Sequence, residues 1–167
     1  LSITLVSLAL GYWAGGRYAG GPRARPAPRL LQIYALMPAV AALAIIVACL
    51  AYPFLFSPLS AWSLVLGAFA ACLILLFLPL VATSAMNPLL VAILLQRAGK
   101  QAGDAGAGKV FFVSTLGSVA GVLITAFGLI PYVSNYAATL VVALLLALLS
   151  LAVALAPPAP LAASRTV

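Results

Sequence analysis

AATLVVALLLALLSLAVALA, residues 137–156, contains no charged side chain and consists almost wholly of Leu, Val and Ala. As a helix rising 1.5 Å per residue it reaches about 30 Å, the thickness of a bilayer's hydrocarbon core. Pro157-Pro158 ends it. Outward from this stretch the rest of the chain reads the same way. Hydrophobic residues make up 66% of the sequence and charged residues 5%. A soluble domain carries about a quarter charged residues to cover its surface. The mean hydropathy of +1.30 is sustained over several apolar runs, as in a polytopic membrane protein rather than a chain with one signal peptide. The expected fold class is all-α, a polytopic transmembrane helix bundle.

The runs place spans at about 1–16, 30–54, 62–81, 110–130 and 137–156. Residues 1–16 cover only about 24 Å, so the first span is expected to begin upstream of Leu1. The long apolar stretch from Ala61 to Gln96 is interrupted by Pro79 and by Asn87-Pro88. Proline removes a helical donor and clashes with the preceding turn, so a broken helix is expected here. An irregular piece at residues 83–87 would then separate the span from an interfacial helix over 88–97. The spacing predicts about five spans in all, with this one proline-broken helix.

Charge is confined to the connections. Residues 17–29 hold Arg17, Arg23, Arg25 and Arg29 among prolines and glycines, and residues 97–109 hold Arg97, Lys100, Lys109 and Asp104. The connections around Tyr52-Pro53, Ser57-Pro58 and Pro131-Tyr132 are uncharged. Basic connections alternating with neutral ones satisfy the positive-inside rule, which predicts cytoplasmic loops at 17–29 and 97–109 and a cytoplasmic C-terminus. The seven basic residues of these two loops are read as topology determinants facing lipid headgroups. The net charge of +7 therefore points to the lipid bilayer as partner. Without a basic stripe interleaved with aromatics, it does not point to nucleic acid.

The chain has no His and a single acid, Asp104. General acid–base relays and metal sites draw on those side chains, so no catalytic residue, metal or cofactor is expected. Cys49 and Cys72 lie within apolar runs at different depths and are expected to be buried free thiols.

Small residues carry the remaining signals. Ser114, Gly117, Ser118, Gly121, Thr125 and Gly128 fall within about 100° of arc on a helix. Such a face lets helices approach closely and gain van der Waals contact that lipid does not offer. It reads as a helix–helix seam, or alternatively as the wall of a ligand channel. Gly11-x-x-x-Gly15 is a weaker version of the pattern. Ser84 and Asn87, at the expected break, are candidates for a polar site, because broken helices expose backbone groups at membrane depth.

Specific motifs resemble a known family. Leu8-Ala9-Leu10-Gly11-Tyr12-Trp13-Ala14-Gly15-Gly16-Arg17-Tyr18-Ala19 is similar to a glycine-rich helix end in the membrane region of spermidine-synthase-like proteins. Met86-Asn87-Pro88-Leu89 resembles that family's Met-x-Pro-Leu. Ser114-Thr115-Leu116-Gly117-Ser118-Val119-Ala120-Gly121, followed by Thr125-Ala126-Phe127-Gly128-Leu129-Ile130-Pro131, resembles its Ser-Thr-x-Gly-Ser-x-x-Gly and Thr-Gly-Phe-x-Leu-Ile-Pro. The resemblance implies a membrane region like part of a major-facilitator half, which in relatives is often joined to a soluble aminopropyltransferase domain. No strand–glycine-loop–helix unit of that domain is in this sequence, and Gly20 and Gly21 stand where the family usually has an acid.

Together these readings predict a non-catalytic integral membrane subunit in a bacterial inner (plasma) membrane. It would pack against other integral membrane subunits or against itself, as an accessory or scaffold. The alternatives are a transporter of polyamine or a related small metabolite, and a membrane anchor for a separate aminopropyltransferase.

Overall fold

The computed structural model of the chain describes residues 2–20, 26–98 and 100–155. Among these residues there is no strand. The elements are α1 (Ser2–Ala19), α2 (Ala27–Trp62), α3 (Leu64–Ala98), α4 (Lys100–Leu123), a π-helical segment (Ile124–Leu129) and α5 (Asn135–Leu155). Four of the helices are long and apolar enough to cross a membrane, over Ala27–Leu55, Val65–Gln96, Gly106–Leu129 and Asn135–Leu155; α1 is not among them. Phe54, Val65, Phe112 and Phe127 are each more than half exposed. Large apolar side chains displayed on several helices at once belong in hydrocarbon rather than water. The expected all-α transmembrane bundle is what the chain forms.

The connections are shorter than expected. α1 continues to Ala19 and α2 starts at Ala27, so the loop expected at 17–29 shrinks to its middle. Pro28 in the first turn of α2 favours this early start, since its missing N–H is one the first turn does not need. α2 runs through Pro53 and Pro58 to Trp62, past the connection expected near Ser57-Pro58. The chain then reverses at Ser63 alone, in an extended conformation with φ −160° and ψ 148°. Ser63 caps α3: its Oγ accepts from the Leu66 N–H at 3.1 Å, satisfying one orphan donor of the first turn. Ser134 plays the same part for α5, its Oγ accepting from the Ala137 N–H at 3.3 Å.

Two expectations are corrected. The helix is not broken at 83–87: α3 is continuous through Pro79 and Pro88, so residues 88–97 extend the spanning helix instead of forming a separate interfacial one. The Thr83 hydroxyl donates to the Pro79 carbonyl at 2.9 Å and lies 3.3 Å from that of Leu80. These bonds fall on the turn after Pro79; the carbonyl that Pro79 leaves without a donor is that of Leu75, four residues earlier. The expected loop at 97–109 is also largely helical, because α4 begins at Lys100. Its glycines each cost a helix only about 1 kcal/mol, and Ala102, Ala105 and Ala107 between them are strong helix formers.

The bundle's directions follow from its contacts. Gly11 abuts Val81 and Ser84 while Gly15 abuts Ala85 and Pro88, so α1 runs parallel to α3. Ser150 meets Ala35, whereas Asn135 and Tyr136 share a cleft with Tyr52, so α5 runs antiparallel to α2. Arg17, Arg29 and Lys109 therefore gather at one end, and Tyr52, Tyr132 and Tyr136 stand at the other.

Small residues make most of the buried contacts. Ala35, Ala41, Ala42, Ala48, Ala82, Ala85, Ala138 and Ala143 are all buried, as close helix approach in a membrane requires. A compact cluster of Ala19, Leu30, Leu89 and Ile93 ties the basic ends of α1, α2 and α3 together. One hydrogen bond joins α5 to α2: Ser150 Oγ donates to the Ala35 carbonyl at 2.6 Å, near Pro38, which has no N–H to give the Tyr34 carbonyl. Interhelical bonds of this type contribute about 1 kcal/mol. Ser150→Ala is expected to lower stability by about that amount in a denaturant titration of the micelle-solubilised protein; an unchanged midpoint would show the bond to be incidental.

Candidate functional site

The structure separates the small-residue signals. The Gly11/Gly15 pair, the weaker one in sequence, is the seam actually used. A Cβ at Gly11 would collide with Ser84 Oγ and sit 2.5 Å from the Val81 carbonyl oxygen. At Gly15 it would sit 2.6 Å from the Ala85 carbonyl oxygen and 2.7 Å from Pro88 Cγ. The two backbones touch there, and only glycine permits it.

The stronger pattern has no such neighbour. Nothing lies within 4 Å of a Cβ built at Gly117 or Gly121, and at Gly128 the nearest atom belongs to Ile124 of the same helix. Ser114 and Thr125 are partly covered, Ser118 is exposed, and none of the most apolar window of α4 and the π segment is buried. The seam expected along this face is not formed within the chain. α4 packs against α3, with residues from Gly106 to Ser114 sharing a cleft with it.

At its far end α4 widens into the π-helical segment, where the Ile130 N–H bonds the Thr125 carbonyl at 2.9 Å. Pro131 has no N–H for the Phe127 carbonyl, so a regular last turn is denied its donor. The sequence marks this spot only as a helix end; the π geometry carries no signal of its own.

The two polar candidates are also parted. Ser84 is buried inside the α1–α3 seam, its Oγ 3.2 Å from the Val81 carbonyl, and is a packing residue. Asn87 lies at the edge, where its Nδ2 donates to the Tyr12 hydroxyl at 3.2 Å. It lines a cleft of about 570 Å³ between α2, α3 and α4, together with Tyr34, Leu90, Lys109, Val113 and Ser114.

A larger cleft of about 760 Å³ opens between α2, α3 and α5. Tyr52, Asn135 and Tyr136 stand at one end of it, Thr83 and Leu146 at the other, and none of its described lining residues is charged. Cys49 also lines it and is half-buried; Cys72 is exposed, so the expectation of two buried thiols holds for neither residue fully, although both are free. Sequence reading missed this cleft, because its walls come from three helices whose relative rotation no periodicity specifies.

Among the basic residues, Arg17 lies over the Trp13 ring at 5.4 Å from its centroid, a cation–π pair one turn apart. Arg29 opens α2, its N–H bonding the Pro26 carbonyl at 2.9 Å. Arg23 and Arg25 lie outside the described residues, and for Arg97 and Lys100 only the helical backbone is described.

Fold and site together define an all-α membrane protein with a small-residue face left open on α4 and lateral clefts between its helices. No protein-family model, no curated protein and no solved structure matches the chain. The resemblance to spermidine-synthase-like proteins therefore rests on its motifs alone.

Proposed function

We propose that the chain is a non-catalytic integral membrane subunit that docks on a partner membrane protein, or on a second copy of itself, through the small-residue face of α4. The observation that carries this reading is the vacancy beside Gly117 and Gly121 on a helix with no buried residue in its most apolar window. A small-residue face in contact with lipid gains little, whereas a closely approaching helix gains dispersion along its whole length. The gathering of Arg17, Arg29 and Lys109 at one end supports placing that end, and the C-terminus beyond α5, on the cytoplasmic side of a plasma membrane.

The test is gentle-detergent extraction from native membranes, with Gly117→Leu/Gly121→Leu beside the parent chain. The parent is expected to elute in a stoichiometric complex. The double variant should elute alone with an unfolding midpoint no lower than the parent's, since a Cβ at either position meets nothing within 4 Å and leucine favours the helix over glycine. A parent that is a stable monomer, or a variant that keeps the complex, would sink the reading.

The larger cleft favours a second reading, transport or binding of a small molecule. With no charge among its lining residues, it fits an uncharged or amphiphilic solute better than a polyamine, whose charges call for acids. Proteoliposome uptake of labelled spermidine at the level of empty vesicles is the expected result; flux above that level would restore the polyamine alternative.

A further inference from the structure

The smaller cleft, at the basic end of the bundle, has the chemistry of a lipid site. Among the described residues that line it, Lys109 alone carries a charge. Asn87, Tyr34 and Ser114 add neutral hydrogen-bonding groups, while Leu90, Leu94, Val110 and Val113 supply an apolar wall. Lys109 is exposed and stands at the end of α4 that shares its side of the bundle with Arg17 and Arg29.

Three constraints select the occupant. Charge complementarity calls for an anion, because the charge among the described lining residues is positive and stands at the edge of a low-dielectric groove. The apolar wall calls for a hydrocarbon body, which a free phosphate lacks. Lys109 stands in the first turn of the apolar Gly106–Leu129 stretch, and basic pockets between transmembrane helices near a bilayer surface hold anionic headgroups. Lysine suits this role as a point charge on a flexible stem.

We propose that this cleft holds one anionic phospholipid of the surrounding bilayer. Its phosphate lies against Lys109 and the neighbouring hydroxyl and amide groups, and an acyl chain runs along Leu90, Leu94, Val110 and Val113. The cleft shares Ser114 with the small-residue face of α4, but Gly117 and Gly121, which the docking test changes, do not line it, so the two tests read separately.

Native mass spectrometry of the full chain tests it, with phosphatidylglycerol and phosphatidylcholine of identical acyl chains as probes. One phosphatidylglycerol is expected to survive activation that strips phosphatidylcholine. Lys109→Gln should lower its retained fraction roughly fivefold, the factor one basic residue contributes near a membrane surface. Lys109→Arg should keep it, and Val113→Trp, which fills the cleft from an exposed position, should lose it with an unchanged helical spectrum. Equal retention of the two lipids would overturn the proposal. So would an equal loss in Arg29→Gln, which would mean diffuse attraction to the basic end, or displacement by glycerol phosphate at the same concentration, which would mean a site for the phosphate alone.

Discussion

Gly15→Ala is expected to destabilise the protein while Gly16→Ala, one residue away, stabilises it. The Cβ at position 15 must enter space 2.6 Å from the Ala85 carbonyl oxygen and 2.7 Å from Pro88 Cγ. The first is backbone and the second a ring inside a helix, so neither yields without α1 shifting as a whole. Overpacking of this kind costs about 1–3 kcal/mol, and Gly15→Val should reach about 3 kcal/mol because its branches meet the same wall. At Gly16 a Cβ meets nothing within 4 Å, so only the helix propensity changes, a gain of about 0.5–1 kcal/mol. Denaturant titration in micelles, followed by circular dichroism, reads both signs. Two shifts in the same direction would show that α1 does not rest on α3 through its glycines.

The second large effect concerns Leu89. It is 2% exposed and packs in one cluster with Leu30, which is fully buried, and with Ile93 and Ala19. Three helices meet there, so Leu89→Ala opens a cavity that none of them can close alone. In soluble cores such a change costs about 2–5 kcal/mol. In an apolar surrounding the transfer contribution largely disappears and the lost packing remains, which leaves about 2 kcal/mol. Leu116 on α4 is 59% exposed, and Leu116→Ala should stay within about 0.5 kcal/mol in the same titration. Equal effects at the two sites would mean that the cluster does not hold the bundle together.

The contrast between those two leucines shows where sequence reading stops. Both sit in uninterrupted apolar runs, and hydropathy treats them alike. In water, periodicity would separate a buried from an exposed leucine, because the outer face must be polar. In a bilayer the outer face is apolar too, so the signal that assigns faces in soluble helices is missing. Only small and polar residues break the degeneracy. They led correctly to Gly11 and Gly15, and they marked the face of α4 without telling whether anything covers it.

Proline shows a related limit. Pro79 and Pro88 read as breaks because a helix in water that loses a bond exchanges it for solvent. Within hydrocarbon the irregular alternative exposes more unsatisfied groups than the single carbonyl each proline leaves. The helix therefore continues through both. Asn87 reads in sequence as a residue of a break; in the fold it is a polar group at the edge of a cleft.

What the sequence by itself determined is the solvent and the elements. Uncharged runs of bilayer length can satisfy their backbones only as helices, and arginines cannot enter them, so an all-α membrane protein with its basic residues at helix ends follows from composition and spacing alone. The stretch at 137–156 appears as α5, Asn135–Leu155, almost unchanged. What only the tertiary structure decided is which faces meet. The α1–α3 glycine seam, the two clefts and the open side of α4 depend on the rotation of each helix about its axis. That rotation is set by contacts between residues far apart in the chain, whose energies differ by packing rather than by hydrophobicity.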